Sequence, residues 1–276
     1  MSASIHSNQP LIRFTDVSLG YGDFTVLRNI DLEAKRGQVI AMMGGSGSGK
    51  TTLLRAATAQ IFAQNGTIEV FDKDLDHCSP REIEQLRKRM GVLFQQGALF
   101  TDLNVFDNVA FPLREHAQLS NAEITRIVLE KLEAVGLRAA AHLKISEISG
   151  GMARRVALAR AIVLEPELIF YDEPFAGLDP ISLGITAQLI RDLSDELNCA
   201  SIIITHDVPE SFKIADYVYL VGQGKMIMHG TPDELENSQD EYVQQFLNGM
   251  PDGPIAFHYP TTPAFEAWLD KNSKHS

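Results

Sequence analysis

No stretch of this sequence approaches the ~18 consecutive apolar residues that a bilayer-spanning helix needs. The longest apolar patches, at 39–43 and 202–204, are strand-sized. The opening residues are polar and lack the apolar centre of a secretory leader, so no export signal is expected. If the protein works at a membrane, another chain is expected to supply the spanning part. Cysteine is scarce: Cys78 and Cys199 are the whole complement. They share no metal-ligand spacing and are too few for a disulfide framework, so both read as reduced cytosolic thiols. A basic excess is also missing. The formal net charge is -12 and the pI about 5.1, which argues against a nucleic-acid partner, because gripping a phosphate backbone takes a basic face. What remains is 276 residues at 45% hydrophobic, enough for one large domain, or a domain with a subdomain, around a sizeable core.

Residues 11–33 alternate apolar and polar side chains, with a turn at Tyr21, Gly22 and Asp23, and read as antiparallel strands. Residues 39–43 form a continuous apolar run of the kind a buried parallel strand shows. A Gly/Ser loop and a helical pattern from Lys50 follow. Asn65 and Gly66 are expected to form a turn before a strand at 67–71. Ser79 and Pro80 open a charge-rich helix, read as a solvated face. Residues 91–94 read as a strand, 102–161 as mostly helical, and 168–171 and 201–205 again as short buried strands. Residues 217–221 and 225–229 read as a hairpin. Strands alternating with helices predict an α/β fold with a parallel sheet, interrupted by a helical insert and preceded by antiparallel strands.

The loop at 44–51 reads GGSGSGKT and matches the phosphate-binding pattern G-x-x-x-x-G-K-[ST]. Gly44, Gly47 and Gly49 let backbone N–H groups approach phosphate oxygens, with Ser46, Ser48 and Thr52 beside them. The helix from Lys50 points its positive end at the same place. Lys50 is placed to meet the β- and γ-phosphates of ATP, and Thr51 to ligate Mg²⁺. A strand ending in Asp172 and Glu173 supplies the matching carboxylates. Asp172 is expected to hold the metal, and Glu173 to polarise an attacking water.

With these two motifs in place, the chain resembles the ATPases of ABC transporters. Residues 148–152, ISGGM, resemble the signature LSGGQ, and Arg154 to Ala161 continue as in that family. Gly177, Leu178 and Asp179 look like its D-loop, His206 like its switch histidine and Gln95 like its loop glutamine. Tyr21 stands where the family places an adenine-stacking aromatic, with Phe24 as a competing stacker. The resemblance covers most of residues 11–235, in the family's order. It implies a P-loop core of α/β class over 11–245, with an N-terminal antiparallel β subdomain and an inserted helical subdomain at about 97–161. It also implies catalytic roles for Lys50, Gln95, Glu173 and His206, and metal contacts from Thr51, Gln95 and Asp172. Ser149, Gly151 and Asp179 would meet the ATP of a second copy, so that two chains sandwich two Mg-ATP and a single chain is nearly inactive. Met152 departs from the family glutamine, and any polar contact of that glutamine is lost.

Residues 93–116, together with 149–155, resemble more narrowly the ABC ATPases that drive MCE-protein lipid transporters. That resemblance alone implies phospholipid cargo, moved between the inner and outer membranes of a Gram-negative bacterium to maintain outer-membrane lipid asymmetry. It implies a membrane permease, a periplasmic MCE-domain protein and a small STAS-domain protein as partners, with this chain on the cytoplasmic face of the inner membrane. An importer of an amino acid or osmolyte would share every ATP motif, and a soluble non-transport ABC protein is a more distant alternative. Leu99, Phe100, Val105, Phe106, Val109 and Phe111 are too many apolar groups for one solvated element, so part of this set is expected in the core and part in a groove for a permease helix. The Pro-rich tail at 246–276 admits two readings, an unstructured terminus or a clasp onto the partner subunit anchored by Phe257, Tyr259 and Trp268.

Overall fold

The computed structural model describes residues 9–255 and 261–273. The alternating residues at the start become two long antiparallel strands, β1 (Pro10–Tyr21) and β2 (Phe24–Lys35). β3 (Val39–Met43) is buried at every residue and leads through the Gly/Ser loop to α1 (Lys50–Ala57). β4 (Asn65–Val70) and β5 (Lys73–Asp74) return to the first pair, giving a four-stranded antiparallel sheet ordered β2-β1-β4-β5. α2 (Pro80–Lys88) starts at a Ser79/Glu82 capping box and precedes β6 (Met90–Leu93). Three helices then intervene, α3 (Val105–His116), α4 (Asn121–Ala134) and α5 (Gly150–Ile162), before β7 (Leu168–Asp172). α6 (Pro180–Leu197), β8 (Ala200–Thr205), α7 (Val208–Ile214), β9 (Tyr217–Gly222) and β10 (Lys225–Gly230) complete a six-stranded sheet ordered β10-β9-β3-β8-β7-β6. All its pairings are parallel except that of β10 with β9. The α/β class, the parallel sheet, the antiparallel N-terminal layer and the helical segment are those expected.

The central strands read as unbroken apolar runs because each feeds two cores, one per face. In β7, Leu168 and Phe170 join the core shared with the antiparallel sheet and α1. Ile169 and Tyr171 join the core built with α3 to α6. β8 divides the same way, Ile202 and Ile204 to the first and Ile203 to the second.

Asn65 and Gly66 do not form the expected turn. Both lie in β4, with Asn65 opposite Ser18 across a register shift in β1. The glycine serves close approach: its φ is +83°, and a Cβ there would sit 2.3 Å from the Asp16 carbonyl oxygen.

The chain divides into two compact units, Met1–Leu235 and Glu236–Ser276. The junction falls at the end of α8 (Pro232–Glu236), so the start of the tail at 246 lies inside the second unit. There, α9 (Glu241–Asn248) is capped by Asp240, and the Gln245 amide exchanges two hydrogen bonds with the Ile255 backbone, at 3.1 and 2.6 Å. α10 (Pro263–Ser273) carries Phe265 and Trp268, both exposed, with rings stacked 6.0 Å apart. Phe257 and Tyr259 lie outside the described residues.

The apolar set between β6 and α3 divides as expected. Val105 and Val109 are fully buried, Leu99 and Phe106 pack partly buried against the second core, and Phe100 and Phe111 stay exposed with rings 4.7 Å apart. The loop before α3 is pinned by Asn108, which is completely buried. Its Oδ1 accepts from Phe100 N at 2.8 Å, and its Nδ2 donates to the Phe100 and Asn104 carbonyls at 3.0 and 2.9 Å. Asn108→Ala takes the partner from the Phe100 N–H, leaves the Phe100 and Asn104 carbonyls only their backbone donors Leu103 and Asn108, and is expected to cost about 1–3 kcal/mol. Urea unfolding checks this, and an unchanged midpoint removes the clamp.

Candidate functional site

Parallel pairing aligns the carboxyl ends of three neighbouring strands. Met43 lies opposite Thr205 and Asp172 opposite Ile204, so the loops after β3, β8 and β7 leave one edge of the sheet together. In open α/β sheets ligands bind beyond this edge.

The loop after β3 ends at Gly49, which caps α1 in a left-handed conformation at φ 101°. A Cβ here would be strained and would press on the Leu27 side chain at 2.7 Å. α1 has neither a capping side chain nor an acidic residue in its first turn, so its positive end is left for an anion. Lys50 is 8% exposed, and its Nζ donates to the carbonyls of Gly44 and Gly45 at 2.6 and 3.0 Å. Burial pulls the Lys50 pKa down, while Glu173 and Asp172 push it back up. The Ser48 Oγ is buried in this loop with no hydrogen-bond partner, and a phosphate oxygen would satisfy it.

Asp172 closes β7, and its carboxyl pKa is raised by burial and by the neighbouring Glu173, against the pull of Lys50. A cation would relieve that crowding of negative charge. The Glu173 backbone stands at φ +48°, held by its N–H donating to the Ile204 carbonyl at 2.8 Å. A non-glycine residue in this region stores strain, and the turn brings its carboxylate within 3.0 Å of His206 Nδ1. The glutamate side chain is largely buried and the histidine largely exposed. The structure thus brings together Gly44, Ser48, Lys50, Asp172, Glu173 and His206.

Gln95 is exposed in the loop after β6. It lines a cleft of about 430 Å³ with Gly150, Arg154, Ala176 and Gly177. Ser149 caps α5, accepting from Met152 N at 3.2 Å. Asp179 caps α6 through the N–H groups of Ile181 and Ser182 and the Ser182 hydroxyl, and these bonds lower its pKa. Ser182 lies beside Gly151, so the signature turn and the D-loop are neighbours. Among the described residues, the hydrogen bonds of Ser149 and Asp179 remain local and none reaches the 44–52 loop.

Tyr21 ends β1 opposite Phe24, each across the turn from the other. The Tyr21 hydroxyl accepts from Arg55 of α1 at 3.0 Å, and its pKa is lowered by hydrogen bonding to Thr52 and then Arg55. Phe24 is 71% exposed. The turn itself is tied by Gln64, which donates to the Gly22 carbonyl at 2.7 Å and accepts from the Thr25 hydroxyl at 3.0 Å. Sequence reasoning passed over Arg55 and Gln64 and gave Arg154 and Arg160 no role beyond the family pattern, because nothing in their spacing reveals which distant carbonyl or hydroxyl each side chain reaches.

Comparison with known proteins follows the same outline. The ABC transporter family model matches residues 27–176. The chain is 52% identical over 253 residues to the intermembrane phospholipid transport system ATP-binding protein MlaF of Haemophilus influenzae, covering 92% of this chain and 96% of that protein. Its fold is similar to that of cbiO1 from Clostridium perfringens, part of the ABC transporter complex cbiONQ, with a TM-score of 0.78 and 29% identity over 87% of this chain and 96% of the other. It also matches a dimeric ATP-binding cassette in a post-hydrolysis state bound to ADP and Pi, with a TM-score of 0.73 and 26% identity over 80% and 98% of the two chains.

The two candidate adenine platforms are distinguishable. Only Tyr21 is tied to α1, so Tyr21→Ala is expected to weaken ATP binding by roughly tenfold, the worth of one stacked base. Phe24→Ala is expected to leave it unchanged. Titration with a fluorescent ATP analogue checks both, and the reverse pattern would move the platform to Phe24.

Proposed function

The chain belongs to the ABC transporter family and is an ATPase, and on that footing we propose that it powers phospholipid movement between the inner and outer membranes of a Gram-negative bacterium, maintaining outer-membrane lipid asymmetry. The observation that carries this reading is the identity over almost the full length of both chains with a phospholipid-transport ATP-binding protein. Among the described residues no helix is long and apolar enough to cross a membrane. Membrane attachment therefore rests on a permease, with this chain at the cytoplasmic face of the inner membrane.

ATP lies against Tyr21, with its phosphates over Gly44, Ser46, Gly47, Ser48, Gly49, Lys50, Thr51 and Thr52. Among the described residues no cluster of three or more His, Cys, Asp or Glu forms a metal cage. That suits Mg²⁺, which keeps waters and phosphate oxygens and takes few protein ligands. Thr51, Asp172 and Gln95 would hold it, and when bound it supplies charge neutralisation at the β- and γ-phosphates. Lys50 leaves its own loop carbonyls for the phosphates. Glu173 accepts the proton of the attacking water while His206 fixes the carboxylate, a reading supported by their 3.0 Å contact. Ser149, Gly151 and Asp179 complete the site of a second copy, so hydrolysis requires the pair.

The surface suited to a permease helix is a groove of about 490 Å³ beside the Gln95 loop, lined by Phe94, Phe100, Phe111 and Pro112 together with Lys88 and Arg160. An MCE-domain protein and a small STAS-domain protein complete the complex, and α10 clasps the partner subunit through Trp268.

Glu173→Gln is expected to bind ATP and remain a closed dimer while hydrolysis falls by about two orders of magnitude. Chromatography with ATP and phosphate release read the two effects, and native-rate hydrolysis would remove Glu173 as the base. Tagged recovery of this chain from native membranes, followed by mass spectrometry, is expected to bring a permease, an MCE-domain protein and phospholipid. Phe111→Glu should lose the permease, and truncation before Met250 should weaken the assembly. A periplasmic solute-binding protein in place of the MCE protein would transfer the cargo to a small solute.

A further inference from the structure

The side chain of Arg154 joins three separate loops. It leaves the first turns of α5, and its guanidinium donates to the carbonyl of Phe94 at 3.5 Å, of Glu173 at 3.4 Å and of Ala176 at 3.2 Å. Phe94 precedes Gln95, Glu173 is the proposed base, and Ala176 precedes the D-loop. A guanidinium offers five donors in a rigid fork, so a single side chain can hold several acceptors at fixed mutual distances. Its neighbours on the same helix reach elsewhere. Arg155 donates to Val135 inside the helical segment, and Arg160 holds the Gly97 and Ala98 carbonyls at 2.6 and 2.8 Å. The loop bearing Gln95 is thereby suspended from α5 at both ends, and only the Arg154 end continues to the Glu173 turn. That turn is the strained one: Glu173 stands at φ +48°, and such a conformation persists only where its surroundings hold it. Burial disfavours the Arg154 charge, so its cost is offset through these carbonyls.

Phe94 ties the arrangement to the groove. Phe94 lines the groove, while the next residue, Gln95, lines the cleft with Arg154. A helix seated in the groove would meet the residue whose carbonyl Arg154 holds.

We propose that Arg154 is a positioning residue that locks the Gln95 loop, the Glu173 peptide and the approach to Asp179 into one unit, so that the groove and the hydrolytic carboxylate shift together. The proposal rests on Glu173 acting as the base. It is a contiguous hydrogen-bonded link. Its hydrogen bonds go to backbone carbonyls, and it acts on the chemical step through the placement of the carboxylate.

The test uses the full chain assembled with its permease and reads ATP affinity, KM and kcat for R154Q, R154K and both in the E173Q background. Misplacement of a catalytic group lowers turnover without touching nucleotide contacts, so R154Q is expected to lose about tenfold in kcat with KM and ATP affinity within about twofold of native. R154K, which keeps the charge and reaches one carbonyl at a time, is expected to recover part of that loss. In E173Q, R154Q should cause no further loss, because the group it positions is gone. An unchanged kcat in R154Q overturns the proposal, as does a joint loss of kcat, ATP affinity and melting temperature in both variants. An additive loss in E173Q overturns the link to Glu173, whereas native-rate hydrolysis by E173Q alone removes the base assignment instead.

Discussion

The pairing of β3 with β8 and of β8 with β7 is the constraint on which the rest depends. It is a backbone matter: five parallel residue pairs join each couple, and they bring Met43, Asp172 and Thr205 to a common edge. A slip of one residue would exchange Leu168 and Phe170 for Ile169 and Tyr171 between two different cores. Burial on both faces therefore enforces the register. The phosphate loop, the Asp172–Glu173 pair and His206 hang from these three strand ends, and their mutual distances follow from the register.

Around that edge the charges are arranged in tension. Lys50 is buried with its ammonium on its own loop, and its pKa is pulled down by burial. Asp172 is pushed the other way by burial and by Glu173. Ser48 keeps a hydroxyl with nothing to bond. Each would be relieved by the same visitors, a triphosphate for Lys50 and Ser48 and a divalent cation for Asp172. Folding energy from the two cores sustains a loop that is poorly satisfied alone.

The helical segment reports to this edge through backbone carbonyls. α5 sends Arg154 and Arg160 to the loop around Gln95, and Asn108 of α3 secures the next stretch at Phe100. Backbone carbonyls are present whatever the residue, so such links leave little mark in the sequence at their receiving ends.

Much of this protein could be read in its order of residues. The buried strands were legible because burial on both faces forces continuous apolar runs. The phosphate loop was legible because close approach to an anion demands glycine, and Asp172 and Glu173 because two carboxylates at the end of an apolar strand are costly without a purpose. The Asn65–Gly66 pair was misread, since its glycine serves a close crossing of Asp16 in β1, a distant contact that local turn rules do not register. Which apolar side chains between 99 and 111 are core and which line a groove was likewise undecided until α3 and α5 packed. The sequence by itself determined the chemistry of the site and the order of its parts, because those depend on residue type and local spacing. Only the tertiary structure decided that Arg154 meets Phe94, Glu173 and Ala176, and that Gln64 and Arg55 steady Tyr21, because each pairing joins residues far apart in sequence through packing.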